Sequence, residues 1–207
     1  MTKPDGFNLL EDRLPEGSSG LVLDWLENDP VSVLISRPRQ TKLGDYRPAI
    51  DGRPERVSIN GNLHPVEFLI TLAHEMAHVE NYRQNGRRVK PHGKEWKAVF
   101  RNKLAQIIKA GFLDERYNSA IYDCFFRKER LATTMCSVLK RLIDNEKGRV
   151  SPLRVEDIPE GSIFLTGNGK KLVKGTKMRT RYKCREINTN RVYTVHPMAE
   201  IIEYRAP

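Results

Sequence analysis

The sequence predicts an α+β chain: a small sheet and helices carrying an HExxH zinc site, followed by a helical segment and a small all-β unit at the C-terminus. Three observations predict it. Two β-branched runs, residues 31–36 and 56–60, precede a long apolar stretch that opens with helix-start signals. His74-Glu75-Met76-Ala77-His78 lies within that stretch. After Gly148 the pattern changes to short alternating segments punctuated by turn residues.

The elements follow in order. Residues 14–20 read as a loop, and 21–26 have the apolar spacing of a short helix stopped before Pro30. The runs at 31–36 and 56–60 form strands, with Gly44, Pro48, Gly52 and Pro54 punctuating their connection. Pro65 suits the first helical position, where its missing N–H costs nothing, and Glu67 falls where a carboxylate can reach back to the cap. From 66 to 79 this helix is apolar on nearly every side, so it should run through the core. Residues 84–86 supply a stop, and Pro91-His92-Gly93 opens a helix through Trp96, Val99, Phe100, Leu104, Ile107 and Ile108. A further helix spans 128–145, with Leu131, Met135, Val138, Leu139 and Leu142 on one face. Strands at 162–166, 171–173, 178–187, 192–195 and 199–204 then suggest a small barrel or curled sheet. The expected organisation is an N-terminal tail (1–13), a metal-site domain (14–112), a helical connector (113–150) and a basic β-rich domain (151–207).

Composition bounds the partners. Of 207 residues, 36 are Lys or Arg and 26 Asp or Glu, so 36 − 26 gives a net charge of +10. An apolar fraction of 39% supports an ordinary core and excludes a disordered chain. No stretch approaches the roughly 20 apolar residues of a membrane-spanning helix, and the N-terminus lacks a signal pattern, so a cytoplasmic location with no membrane partner is expected. Cys124, Cys136 and Cys184 are odd in number and widely spaced, without a C-x-x-C pair. They are expected to be reduced, partly buried thiols and exclude a four-cysteine zinc ribbon. A positive balance points to a polyanionic partner such as DNA, although a solvated basic surface is the commoner meaning of such charge.

The chemistry of the HExxH motif follows from helix geometry. Residues four apart stack one above the other, so the His74 and His78 imidazoles point to one side and can share one ion. Glu75 lies at the edge of that face, where it can act as general base on an attacking water. The alternative, three polar side chains satisfied by neighbours in the core, is disfavoured by the cost of a buried unpaired carboxylate and the apolar character of the helix. A catalytic zinc needs a third protein ligand. His92, fourteen positions after His78 across a glycine-containing reversal, can fold back to it; Glu95 competes. A deformylase-like site would need an upstream cysteine, and all three cysteines lie downstream. His64, at a helix start, and His196, before Pro197, read as structural. Tyr46, Tyr82 and several arginines are all candidates to stabilise the oxyanion.

The run Phe68–His78, followed by Pro91-His92-Gly93-Lys94-Glu95-Trp96, resembles the SprT-like zinc metalloproteases, relatives of the Spartan DNA–protein crosslink protease. Thr41–Arg47 and Ser58-Ile59-Asn60 look like that family's upstream sheet, and the resemblance covers residues 14–112. It implies His74, His78 and His92 as ligands of one Zn2+, Glu75 as catalytic base, and peptide-bond hydrolysis of protein substrates. Many members carry a four-cysteine zinc ribbon after the protease domain; here only Cys184 stands in such a position, so a second zinc is not expected.

Lys177, Arg179, Arg181, Lys183 and Arg185 occupy alternate positions. On one strand they would form a single cationic row able to track a phosphate backbone, with Tyr193 and Phe164 as candidate base-stacking residues. An exposed edge guarded by cations gives the same pattern. Arg87, Arg88 and Lys90 would border the metal cleft with a second patch. Two functional classes therefore compete: a zinc endopeptidase acting on proteins near or crosslinked to DNA, and a nucleic-acid-binding or scaffold protein with a structural or latent zinc. A non-peptidase zinc hydrolase is a third, weaker reading.

Overall fold

The computed structural model describes residues 7–39, 42–86, 90–127, 136–148 and 152–207. The architecture is α+β. Two compact units divide the chain, Met1–Ile143 and Asp144–Pro207.

In the first unit, α1 (Phe7–Glu11) and α2 (Ser19–Asn28) precede β1 (Ser32–Ser36), β2 (Gly44–Arg47) and β3 (Arg56–Asn60). The stretch 7–11, expected as part of a tail, is helical because Phe7 and Leu10, three residues apart, both enter the core. The sheet order is β1-β3-β2, with β1 parallel and β2 antiparallel to β3. On the central strand Val57 and Ile59 are fully buried.

The long helix α3 (Pro65–Asn85) starts where His64 caps it, its ring accepting the Val66 N–H at 3.4 Å, and Pro65 occupies the first turn. Almost every residue from Val66 to Ala77 is buried, as the apolar pattern requires, because α3 packs between the sheet and α4 (Lys94–Ala110). Gly111, at φ 70°, ends α4 in the left-handed conformation.

Within the segment expected as a helical connector lie α5 (Glu115–Phe125), capped by Asp114, and α6 (Ser137–Glu146). The expected helix of 128–145 is described only from Ser137 on; Leu131 and Met135 lie outside the described residues. Leu139 and Ile143, one turn apart, carry its buried face, whereas Val138, a neighbour in sequence, points away and is exposed. Cys124 and Cys136, expected as reduced thiols, are joined in a disulfide with Cα atoms 6.1 Å apart. Twelve residues separate them in sequence, a spacing that carries no motif; the pairing arises from where α5 ends and α6 begins. Cys184 is free and buried.

The second unit is an open antiparallel sheet of β4 (Ile163–Thr166), β5 (Lys171–Lys177), β6 (Tyr182–Glu186), β7 (Val192–Val195) and β8 (Ile201–Arg205), in the order β7-β6-β5-β4-β8. Val155, Ile158, Phe164, Leu172, Cys184 and Ile201 form its core. Arg154, wholly buried, donates to Asp144 at 2.6 Å. The strand expected at 178–187 is not continuous. β5 runs on to Lys177, which pairs with Tyr182, and the Met178 N–H bonds to the Arg181 carbonyl at 2.7 Å to close a turn. Alternating cations with Met, Thr and Tyr fit a strand as well as a turn of this kind, and no glycine or proline marks the reversal.

Candidate metal centre

The ligands of the centre come from one helix and one turn. α3 supplies His74 and His78 one turn apart, and the turn before α4 supplies His92. The Nε2 atoms lie 3.3 Å (His74 to His78), 3.1 Å (His78 to His92) and 3.1 Å (His74 to His92) apart. A tetrahedral ion with Zn–N bonds of about 2.0–2.1 Å would hold its ligand atoms about 3.3–3.4 Å apart, so the triangle fits the ion. Neutral imidazoles carry one N–H each, and three nitrogens that converge on one point cannot satisfy one another; a cation resolves the arrangement. His92 has φ 59°, a left-handed conformation that costs a non-glycine residue about 1–2 kcal/mol. Glu95, the competing candidate, is exposed, and the described cluster of potential metal ligands comprises the three histidines.

Trp96 forms the floor. It is fully buried, with ring centroids 4.5 Å from His92, 4.6 Å from His74 and 5.1 Å from His78, and Phe100 stacks beneath it at 4.9 Å. Its position one helical turn after His92 was the available signal, and from the sequence it reads only as a core residue.

Electrostatics suit neutral ligands. Burial, reinforced by the neighbouring imidazoles, holds His74 down to about 3 and His78 down to about 4. Burial and Lys97 hold His92 below its ordinary value. Glu75 is buried, and that burial pushes its carboxyl up to about 8. Asp45 adds to the push, while Arg39, Lys42 and the backbone N–H of Tyr46 oppose it.

Of the oxyanion candidates, the Tyr46 hydroxyl already donates to Glu55 at 2.6 Å. The Tyr46 ring lies parallel to that of His78, with centroids 6.3 Å apart, and meets Tyr82 edge-on. His64 caps α3, and His196 belongs to the second unit, where its Nδ1 accepts the Met198 N–H.

The five cations of the second unit do not share one strand. Lys177 ends β5, Arg179 and Arg181 sit in the β5–β6 turn, and only Lys183 and Arg185 project from β6. Register instead places Val192, Arg185, Val173, Ile163 and Arg205 in one row across all five strands. Strand alternation puts the exposed Lys171 and Lys183 on the same face. Phe164 is core and presents no surface for stacking, and the half-buried Tyr193 bonds to Lys170 and Glu186. Arg87 and Arg88 lie outside the described residues; Lys90 is exposed in the turn before His92.

A buried helix presenting two imidazoles and a carboxylate, completed by a third imidazole from the next turn, defines the class: an α+β protein with a candidate hydrolytic metal centre. Residues 53–118 match the SprT-like family model, and this match supports the SprT-like family, which is associated with metallopeptidase-like function. No curated protein and no solved structure matches the chain. Among the described residues no helix is long and apolar enough to cross a membrane.

Proposed function

We propose that this chain is a zinc-dependent endopeptidase of SprT-like type, working in the cytoplasm on proteins bound or crosslinked to DNA. The convergence of three Nε2 atoms at 3.1–3.3 Å with Glu75 next in sequence to one of them carries the reading. Zinc at this position would lower the pKa of water from about 15.7 to about 7 and polarise the scissile carbonyl. Glu75 takes the proton of the attacking water and delivers it to the amide nitrogen as the C–N bond breaks. Trp96 and Phe100 keep the ligand side dry and fix the ring orientations.

Metal analysis and a casein assay test the proposal together. The purified protein should carry one zinc per chain and cleave casein in a chelator-sensitive way. Glu75→Gln should retain the zinc and lose hydrolysis, and His78→Ala should lose the metal. Cleavage that persists in a clean Glu75→Gln preparation refutes the assigned base.

One observation favours the second reading, a nucleic-acid-binding or scaffold protein with a structural or latent zinc. The outer face of the C-terminal sheet exposes Lys171, Lys183, Arg185 and Arg205, with Glu203 as the acid among them. This reading predicts salt-sensitive DNA binding with no turnover of casein or of a DNA-bound protein, whether or not DNA is added.

A further inference from the structure

We propose that β2 is the strand that positions the general base, and that Gly44 is the residue that makes the fit; the inference rests on the peptidase reading above. A Cβ built at Gly44 would lie 2.5 Å from Glu75 Oε1, 2.8 Å from Glu75 Cγ and 2.8 Å from Thr71 Cγ2. Thr71 and Glu75 are one turn apart on α3, so the motif helix comes down on this strand at backbone-contact distance. Gly44 does not have the positive φ of Gly17 or Gly52. Space, not backbone conformation, therefore demands the glycine.

β2 is an edge of its sheet among the described strands, and the backbone N–H of Tyr46 favours the charged form of Glu75. The Tyr46 side chain fastens the strand to the same helix further on: its hydroxyl donates to Glu55 at 2.6 Å, and Glu55 accepts from Arg83 of α3 at 2.5 Å. Arg83 is anchored in turn to Asp29 and to the Pro30 carbonyl. β2 is thus clamped to α3 at two places, directly under Glu75 and again two turns later. The Oε1 side of the carboxylate lies against Gly44, which leaves the other oxygen to work on the attacking water. Any side chain at 44 pushes the carboxylate off its seat.

A displacement of about 1 Å at a reacting group can cost about 10²-fold in rate. Gly44→Ala should therefore lower kcat on casein peptides by about 10²-fold while KM changes less than about twofold and zinc content stays at one per chain. A merely structural glycine would lower the active fraction or the stability without separating kcat from KM in this way. Adding Thr71→Ser, which removes Cγ2 but keeps the hydroxyl bonded to the Glu67 carbonyl, should recover part of kcat by giving the new methyl room.

A readout without activity uses the metal-loaded protein's melting temperature. Gly44→Ala should lower it in the wild-type background and leave it nearly unchanged in a Thr71→Ser/Glu75→Ala background, which also serves if Gly44→Ala alone does not fold. An equal loss in both backgrounds overturns the proposal, as does full kcat in Gly44→Ala beside an active wild type. A wild-type protein that carries zinc but cleaves nothing removes the peptidase reading itself, and the positioning role with it.

Discussion

His74 and His78 are ready to take a cation because burial keeps them neutral, and the same burial predicts an opposed pH response in the metal-free protein. Unfolded histidines take up protons near 6.5, whereas in the fold His74 resists until about 3 and His78 until about 4. Between these limits the unfolded chain binds more protons, so the stability present above 6.5 is lost as pH falls. Glu75 runs the other way. Its folded value of about 8 against an ordinary 4.5 gives stability that is full below 4.5 and lost as pH rises through about 8. Thermal unfolding of chelator-treated protein should therefore show a maximum between the two slopes. Glu75→Gln should remove the alkaline loss and keep the acid one. A flat wild-type profile from pH 4 to 9 would mean that these groups are not desolvated in solution.

At the scale of the element, the turn before α4 is the piece that a bound metal would explain. His92 sits at φ 59° in a turn closed by the Gly93 N–H on the Lys90 carbonyl. His92→Gly and His92→Ala should both weaken zinc binding, but the metal-free Gly variant should be the more stable of the two by about 1 kcal/mol, since only glycine takes that φ without cost. Denaturant melts of both metal-free proteins check it; equal stabilities would mean the turn is not left-handed. The helices that were legible in the sequence carry strong local signals: α3 is a long apolar run with a start signal and a stop, and α4 has apolar residues at helical spacing. What the sequence hid depends on meetings across the chain. Gly44 under Glu75 is visible only once β2 lies against α3, and Trp96 becomes a floor only when the turn brings His92 onto α3. The Cys124–Cys136 pair depends on how α5 and α6 are placed, and the β5–β6 turn is hidden because its residues alternate like a strand.

At the scale of the whole molecule, the chain carries two apolar cores, one around α3 and one inside the C-terminal sheet. The candidate metal site belongs to the first and the buried Arg154–Asp144 pair to the second. Units with separate cores need not unfold as one. Calorimetry should therefore resolve two transitions that answer to different changes. Zinc at about 100 times its Kd stabilises the state that binds it by about 2.7 kcal/mol and should raise only the first unit's transition. Asp144→Ala leaves the Arg154 guanidinium wholly buried without its carboxylate, a loss of about 3–5 kcal/mol that should fall on the second unit's transition. The two effects should add in the zinc-loaded variant, because no group is common to both sites. If zinc and Asp144→Ala instead move a single transition, the two cores are energetically one domain, and the basic sheet cannot be treated as an appendage that merely localises the metal centre.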